Sequence, residues 1–152
     1  IDKSKIQNYY SLYSYLPQEN LFIPGTIREN IAFGEDNIDE EKVIKVLRET
    51  NCMEFVKKLK NKINHEIKES GSNFSAGQLQ RFALARALYF DNEILILDEP
   101  TSALDKQAED KFLNLIKNLK KNKTIIIISH KISTLKNCNK IYKMNKKKLN
   151  VV

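Results

Sequence analysis

The chain has 152 residues, 41% of them hydrophobic and 30% charged, and carries a net charge of +7. That length and apolar content suit one domain with its own core, and no stretch approaches the roughly 18 uncharged apolar residues of a membrane-spanning helix. The basic excess would allow nucleic-acid binding, but the lysines are spread along the chain, denser at 117–123 and 146–148, and read as a solvated surface. Such a surface also suits a domain beside an anionic membrane. Cys52 and Cys138 lie far apart in no metal spacing, so neither a disulfide nor a zinc site is expected, and a reducing compartment is the simplest inference. The opening Ile-Asp-Lys-Ser-Lys has no signal-peptide pattern and no initiator Met, which suggests a chain cut from something longer.

In chain order, residues 12–16 read as a short strand ending at Pro17-Gln18, and Pro24-Gly25 as a turn. Residues 26–32 predict a short helix capped by Thr26. Asp39 caps a helix to about Glu49, with Val43, Ile44, Val46 and Leu47 apolar and two Glu in the first turn to suit the dipole. Residues 51–60 predict another short helix, so 24–59 is a small helical region. A helix over 75–90, an all-apolar strand over 94–97 and an amphipathic helix over 105–121 follow, the last with Ala108, Phe112, Leu115, Ile116 and Leu119 at helical spacing. A second buried-type strand covers 124–129 and a third, weaker one 140–144. Apolar strands alternating with amphipathic helices predict an α/β fold, a parallel sheet covered on both faces. In such sheets ligands bind beyond the carboxyl ends of the strands, which is where Asp98-Glu99 and His130 fall.

Each motif has a bland reading and a chemical one. Ile94-Leu95-Ile96-Leu97-Asp98-Glu99 delivers two carboxylates from an apolar strand, as a nucleotide hydrolase needs: one for the Mg²⁺ shell, one to polarise the attacking water. It is otherwise a strand end with two solvated acids. Phe74-Ser75-Ala76-Gly77-Gln78 contains a capping box, Ser75 with Gln78, and so a well-capped helix. The same helix start, with a hydroxyl and a glycine, also suits a phosphate. Alone, His130 is a polar residue at a strand end, Gln18 a turn residue and Asp105 a helix cap; His65 has no identifiable partner and reads as a surface residue.

Taken together these motifs resemble the ATP-binding domain of ABC transporters. Tyr15-Leu16-Pro17-Gln18 resembles the Q-loop, residues 74–78 the LSGGQ signature, Asp98-Glu99 the Walker B end, Ser102-Ala103-Leu104-Asp105 the D-loop and His130 the switch histidine, in the family's order. Residues 21–31 resemble the segment after the Q-loop in exporter-type proteins, and Glu69-Ser70-Gly71 resembles the exporter X-loop, although a turn before a helix explains the latter equally well. The resemblance implies part of a P-loop NTPase (RecA-like) parallel sheet with an inserted α-helical subdomain, divided as 1–23 (core strand and Q-loop), 24–90 (helical subdomain) and 91–152 (remaining core). It implies ATP and Mg²⁺ as cofactors. Gln18 would sense Mg²⁺ and the lytic water, Asp98 hold Mg²⁺ through water, Glu99 act as general base and His130 contact the γ-phosphate. Ser75, Ala76, Gly77 and Gln78 would face the γ-phosphate of ATP bound mainly by a second such domain, and Asp105 would link the two sites. The implied partners are that second domain, head to tail, and the coupling helices of a transmembrane domain, at the cytoplasmic face of a membrane; no nucleic acid is expected.

The chain departs from the family pattern in places. Ala76 stands where the signature usually has Gly, and Phe74 where it has Leu; Ala is favourable if the position is helical. The phosphate loop G-x-x-x-x-G-K-[ST] occurs nowhere, and with it the backbone cradle, the phosphate lysine and a Mg²⁺ hydroxyl. Ile1-Asp2 resembles the region just after that loop's helix. The expectation is therefore an exporter ATPase portion, inactive alone. A non-transport ABC ATPase of DNA repair or translation, or an inert truncated partner module, are the alternatives.

Overall fold

The computed structural model describes residues 12–120, 123–145 and 148–151. Its first strand, β1 (Tyr13–Leu16), leads through the loop holding Gln18 to a two-residue strand β2 (Gly25–Thr26) and helix α1 (Ile27–Ile31). Helices α2 (Glu40–Glu49) and α3 (Met53–Val56) follow, then strand β3 (Glu66–Ile67), which pairs antiparallel with β2. Next come the long helix α4 (Ala76–Tyr89), strand β4 (Ile94–Asp98), helix α5 (Lys106–Leu119), strand β5 (Thr124–Ile128) and the short helix α6 (Ile132–Leu135). Strands β6 (Tyr142–Asn145) and β7 (Lys148–Val151) close the described chain.

Local chemistry accounts for the helix starts. Ser75 Oγ accepts from Gln78 N at 3.3 Å while Ser75 N donates to Gln78 Oε1 at 2.9 Å, the reciprocal cap expected from the sequence. Thr26 and Glu29 form the same arrangement on α1. Asp39 and Asp105 accept from Lys42 N and Ala108 N and so begin α2 and α5. The helix expected over 51–60 is α-helical only over Met53–Val56; Asn51 sits at φ +55, which breaks the run from α2.

Helix α4 is the centre of the core. It is buried nearly all round, through Phe82, Leu84, Ala85 and Leu88, because α1, α2 and β1 pack on it from different sides. Phe82 is met edge-on by Phe55 and Phe74, with ring centroids 5.3 and 5.2 Å away. Phe74 therefore has a packing reason to be aromatic. His65 is half-buried with its ring edge-on to Phe74 at 6.1 Å, so it is not the partnerless surface residue expected.

The parallel sheet has the order β1-β4-β5, with Leu16 opposite Leu97 and Leu97 opposite Ile127. Side chains alternate between its faces. Ser14, Leu16, Leu95 and Leu97 lie on the face turned toward α4 and are buried. The other face carries Tyr15, Ile126 and Ile128, which are 48%, 48% and 50% exposed. This corrects the expectation of a sheet covered on both faces and of a buried β5: the described residues cover one face only. The apolar run of β5 could not reveal this, since a periodicity reading sees hydrophobicity on both faces without seeing what covers each. The weak third strand also differs, because β6 pairs antiparallel with β7 in a separate hairpin and does not join the parallel sheet. The Ile1-Asp2 match and Lys121, the expected end of α5, lie outside the described residues.

One turn combines backbone and packing constraints. In Glu69-Ser70-Gly71, Ser70 and Gly71 have φ of +53 and +71, and a Cβ on Gly71 would sit 2.5 Å from Leu79 Cδ2. Gly71→Ala should therefore lower unfolding free energy by about 1–3 kcal/mol. Leu79→Ala in the same chain should recover part of that loss by removing the clashing methyls. Denaturant unfolding of the single and double variants checks this, and strictly additive losses would contradict the contact.

Candidate functional site

The register of the sheet brings the expected residues to one edge. Gln18 lies two positions beyond Leu16, Asp98 ends β4 opposite Ile128, and His130 lies two positions beyond Ile128, all at the carboxyl ends of parallel strands. Gln18 is exposed. Asp98 is half-buried, and its Oδ2 accepts from the Tyr15 hydroxyl at 2.9 Å. Tyr15 and Asp98 share the open face of the sheet, a juxtaposition that only the strand pairing reveals.

Glu99 is the most constrained group of the set. It sits at φ +44, a region that costs a non-glycine residue roughly 1–3 kcal/mol unless its surroundings hold it there. Three bonds do so. Its N–H donates to Ile128 O at 2.9 Å, extending the β4–β5 ladder by one step. Its Oε1 accepts from His130 N at 2.7 Å, and its Oε2 from Ser129 Oγ at 3.3 Å. The side chain is 11% exposed, whereas that of His130 is wholly exposed, with Nε2 3.7 Å from Glu99 Oε1. One loop thus anchors the carboxylate by its backbone and projects an imidazole into solvent beside it. Ser129 was not singled out in the sequence, because a serine after a strand carries no signal until its partner is known.

Ser75, Ala76, Gly77 and Asp105 line a different feature, a cleft of about 200 Å³ between the starts of α4 and α5, together with Arg81 and Ala108. Glu99, His130 and Gln18 do not line it. Gly77 has a packing role there, since a Cβ would stand 3.3 Å from Ala108 Cβ. Ala76 is the first helical residue of α4, so the helical condition attached to that substitution is met. Gln78 is tied back to Ser75 by the cap.

Among the described residues no group of three or more His, Cys, Asp or Glu could hold a metal ion. The donor chemistry of Asp98 nevertheless fits Mg²⁺, which takes one or two carboxylates and fills its other positions with water and phosphate oxygens. The Tyr15 hydroxyl engages Oδ2 of that carboxylate. Cys52 is buried, which pushes its thiol up to about 12 and makes it unreactive.

Three parallel strands in this order, with helices inserted between the first and second and an apolar strand ending in two acids, define the class: part of a RecA-like P-loop NTPase core with an inserted helical subdomain. The comparisons agree. The ABC transporter family pattern matches residues 1–102. An ATP-dependent lipid A-core flippase of Desulfotalea psychrophila is 39% identical over 87% of this chain and 23% of that protein. A glutathione/L-cysteine transport system ATP-binding/permease protein of Haemophilus influenzae is 35% identical over 95% of this chain and 24% of that protein. The solved structure of a bacterial Atm1-family ABC exporter with ATP bound superposes with a TM-score of 0.83 at 28% identity, covering 95% of this chain and 25% of that one. The chain therefore belongs to the ABC transporter family, and it spans about a quarter of the length of the curated relatives it matches.

The Tyr15–Asp98 contact predicts a titration. Donation to Asp98, reinforced by a little burial and by the carboxylate charge, raises the Tyr15 phenol above its ordinary value of 10.0. Its contribution to stability is therefore present below that value and lost as pH rises through the raised one. In ¹³Cζ-tyrosine NMR, Tyr15 should titrate at higher pH in the native chain than in Asp98→Asn; equal midpoints would remove the contact.

Proposed function

We propose that this chain supplies the water-activating residues, and the residues that act across a dimer, of an ATP-hydrolysing domain powering export through a membrane. The observation that carries this reading is the convergence of Gln18, Asp98, Glu99 and His130 at the carboxyl edge of one parallel sheet, with Glu99 held by the His130 loop. Family membership and the transporter relatives support it.

In the mechanism proposed here, Glu99 accepts the proton of the attacking water. Its ties to Ile128, Ser129 and His130 fix it in one place, which matters because a base must lie within hydrogen-bond reach of the proton it takes. Asp98 would hold Mg²⁺ through water, with Gln18 completing that side; bound there, the ion would neutralise charge on the phosphates. His130, fully exposed on an anchored backbone, is free to meet the γ-phosphate. Ser75, Gly77 and Gln78 open the N-terminus of α4, where free N–H groups and the helix dipole favour a phosphate, and Ala76 stands among them. That phosphate belongs to ATP held mainly by a second ABC ATPase domain, with Asp105 linking the two sites. Residues 1–23, 24–90 and 91–152 serve as core strand with Q-loop, helical subdomain and remaining core. The coupling helices of a transmembrane domain dock on the helical subdomain at the cytoplasmic face. The cargo is chosen by the membrane helices of the exporter and differs among relatives, as their names indicate.

Two measurements test this. The purified 152 residues, having no phosphate loop, should bind ATP weakly and not hydrolyse it; robust Mg-ATPase activity would overturn that half. In the exporter that carries the segment, Glu99→Gln should lower turnover by about a hundredfold or more and let ATP-bound dimers accumulate. Near-normal hydrolysis would remove Glu99 as the base.

A further inference from the structure

Behind the catalytic edge lies a buried carboxylate that the mechanism above does not use. Glu109, in the first turn of α5, has a side chain only 6% exposed. A carboxylate that far from water is costly unless its oxygens are satisfied. Its Oε1 accepts from Ser133 Oγ at 2.7 Å, and its Oε2 from Lys131 Nζ at 3.4 Å. Lys106 Nζ approaches to 4.0 Å but is bonded at 2.9 Å to Asp110, so it is a weaker, exposed neighbour. The Ser133 bond, with Lys131 beside it, holds the Glu109 carboxyl below the usual glutamate range, as expected of an ionised group kept by its donors.

Both donors belong to the segment that begins with His130. Lys131 Nζ also donates to Thr101 O at 2.7 Å, in the turn directly after Glu99. Lys131 N donates to Ser129 Oγ at 3.0 Å, and that same hydroxyl donates to Glu99 Oε2. Thr101 and Thr134 hydroxyls meet at 3.0 Å and are fully buried, closing the network from the other side. Glu109 N donates to Asp105 O, so the carboxylate stands one helical turn from the residue that caps α5. The turn after β4, the start of α5 and the loop after β5 therefore meet where the Lys131 ammonium touches both Thr101 O and the Glu109 carboxylate, and Ser133 adds a second tie from the loop to Glu109.

We propose that Glu109 is a positioning residue, which fixes the His130 loop, and through it Glu99, relative to the helix capped by Asp105. Its catalytic consequence rests on the ATPase reading above; the fastening itself does not. A shift of the α5 start reaches the loop through Glu109 and Lys131, because the backbone between them runs the full length of α5 and β5. A buried charge with a purely structural role would instead lower the stability of the whole chain and leave the geometry of the folded site unchanged.

The test uses Glu109→Gln and Ser133→Ala in the exporter that carries the segment. Each leaves part of the network intact, so that folding is preserved better than in an alanine at 109. Hydrogen exchange without nucleotide should show the amides of residues 129–134 exchanging about tenfold faster in both variants, the loss of one bond to a charged group. The amides of α4 should keep their native rates. Steady-state kinetics should show kcat down about tenfold with KM for ATP within about twofold, the mark of a contact that matters at the reacting geometry. Native exchange rates over 129–134 in both variants would overturn the fastening. Faster exchange there with unchanged kcat would overturn the catalytic consequence. If the unmodified exporter hydrolyses no ATP, the ATPase reading fails, and the exchange measurement still decides whether Glu109 holds the loop.

Discussion

The hydrogen bond from the His130 backbone to Glu99 Oε1, 2.7 Å long, is the contact on which the candidate site depends. It joins the ends of two neighbouring parallel strands just past the last residues of their ladder, where Glu99 N already reaches Ile128 O. Glu99 is held at a positive φ by these bonds and by Ser129. Without them nothing would oppose relaxation of the Glu99 backbone toward the broad β or helical regions. The parallel pairing of β1, β4 and β5 is in turn what puts Gln18, Asp98 and His130 beside it.

The packing explains why that edge is rigid on one side and open on the other. Helix α4 packs on the inner face of the sheet, and its Phe82 is met edge-on by Phe55 of α3 and by Phe74 just before the helix. Arg86 on the same helix reaches across to Leu21 O and Asn30 O at 2.8 and 2.7 Å, and stacks over Phe22. It ties the loop after Gln18 to the helix whose first turn lines the cleft with Asp105. Burial lowers the Arg86 pKa but leaves it charged, and carbonyl acceptors with an aromatic face take the place of a carboxylate. The outer face of the sheet carries exposed isoleucines on β5, the composition of a two-sided sheet with one side covered by the described residues.

What was legible in the sequence is what depends on local chemistry. The Ser75–Gln78 box, the Asp39 and Asp105 caps and the apolar strand delivering Asp98-Glu99 act within a few residues of one another, and each stands as read. What was not legible depends on pairing across distance. The Tyr15–Asp98 bond needs the register of β1 against β4, and the burial of Glu109 needs the loop after β5 folded over α5. A glutamate in the first turn of a helix reads as dipole compensation, and nothing nearby in sequence separates that from a buried anchor. The two-residue pairing of β2 with β3 is too short for any periodicity. The strand read at 140–144 forms as β6 over Tyr142–Asn145 but pairs antiparallel with β7 instead of joining the parallel sheet.

In the proposed function, the edge held by Glu99 and the cleft at the start of α4 face the same phosphate when two such domains meet. Orthovanadate trapped during turnover in place of the γ-phosphate cleaves nearby backbone on irradiation, and so reports directly what surrounds that phosphate. In the protein that carries this segment, cleavage should fall within residues 75–78 and beside His130. Cleavage confined to other parts of the chain would rule that arrangement out.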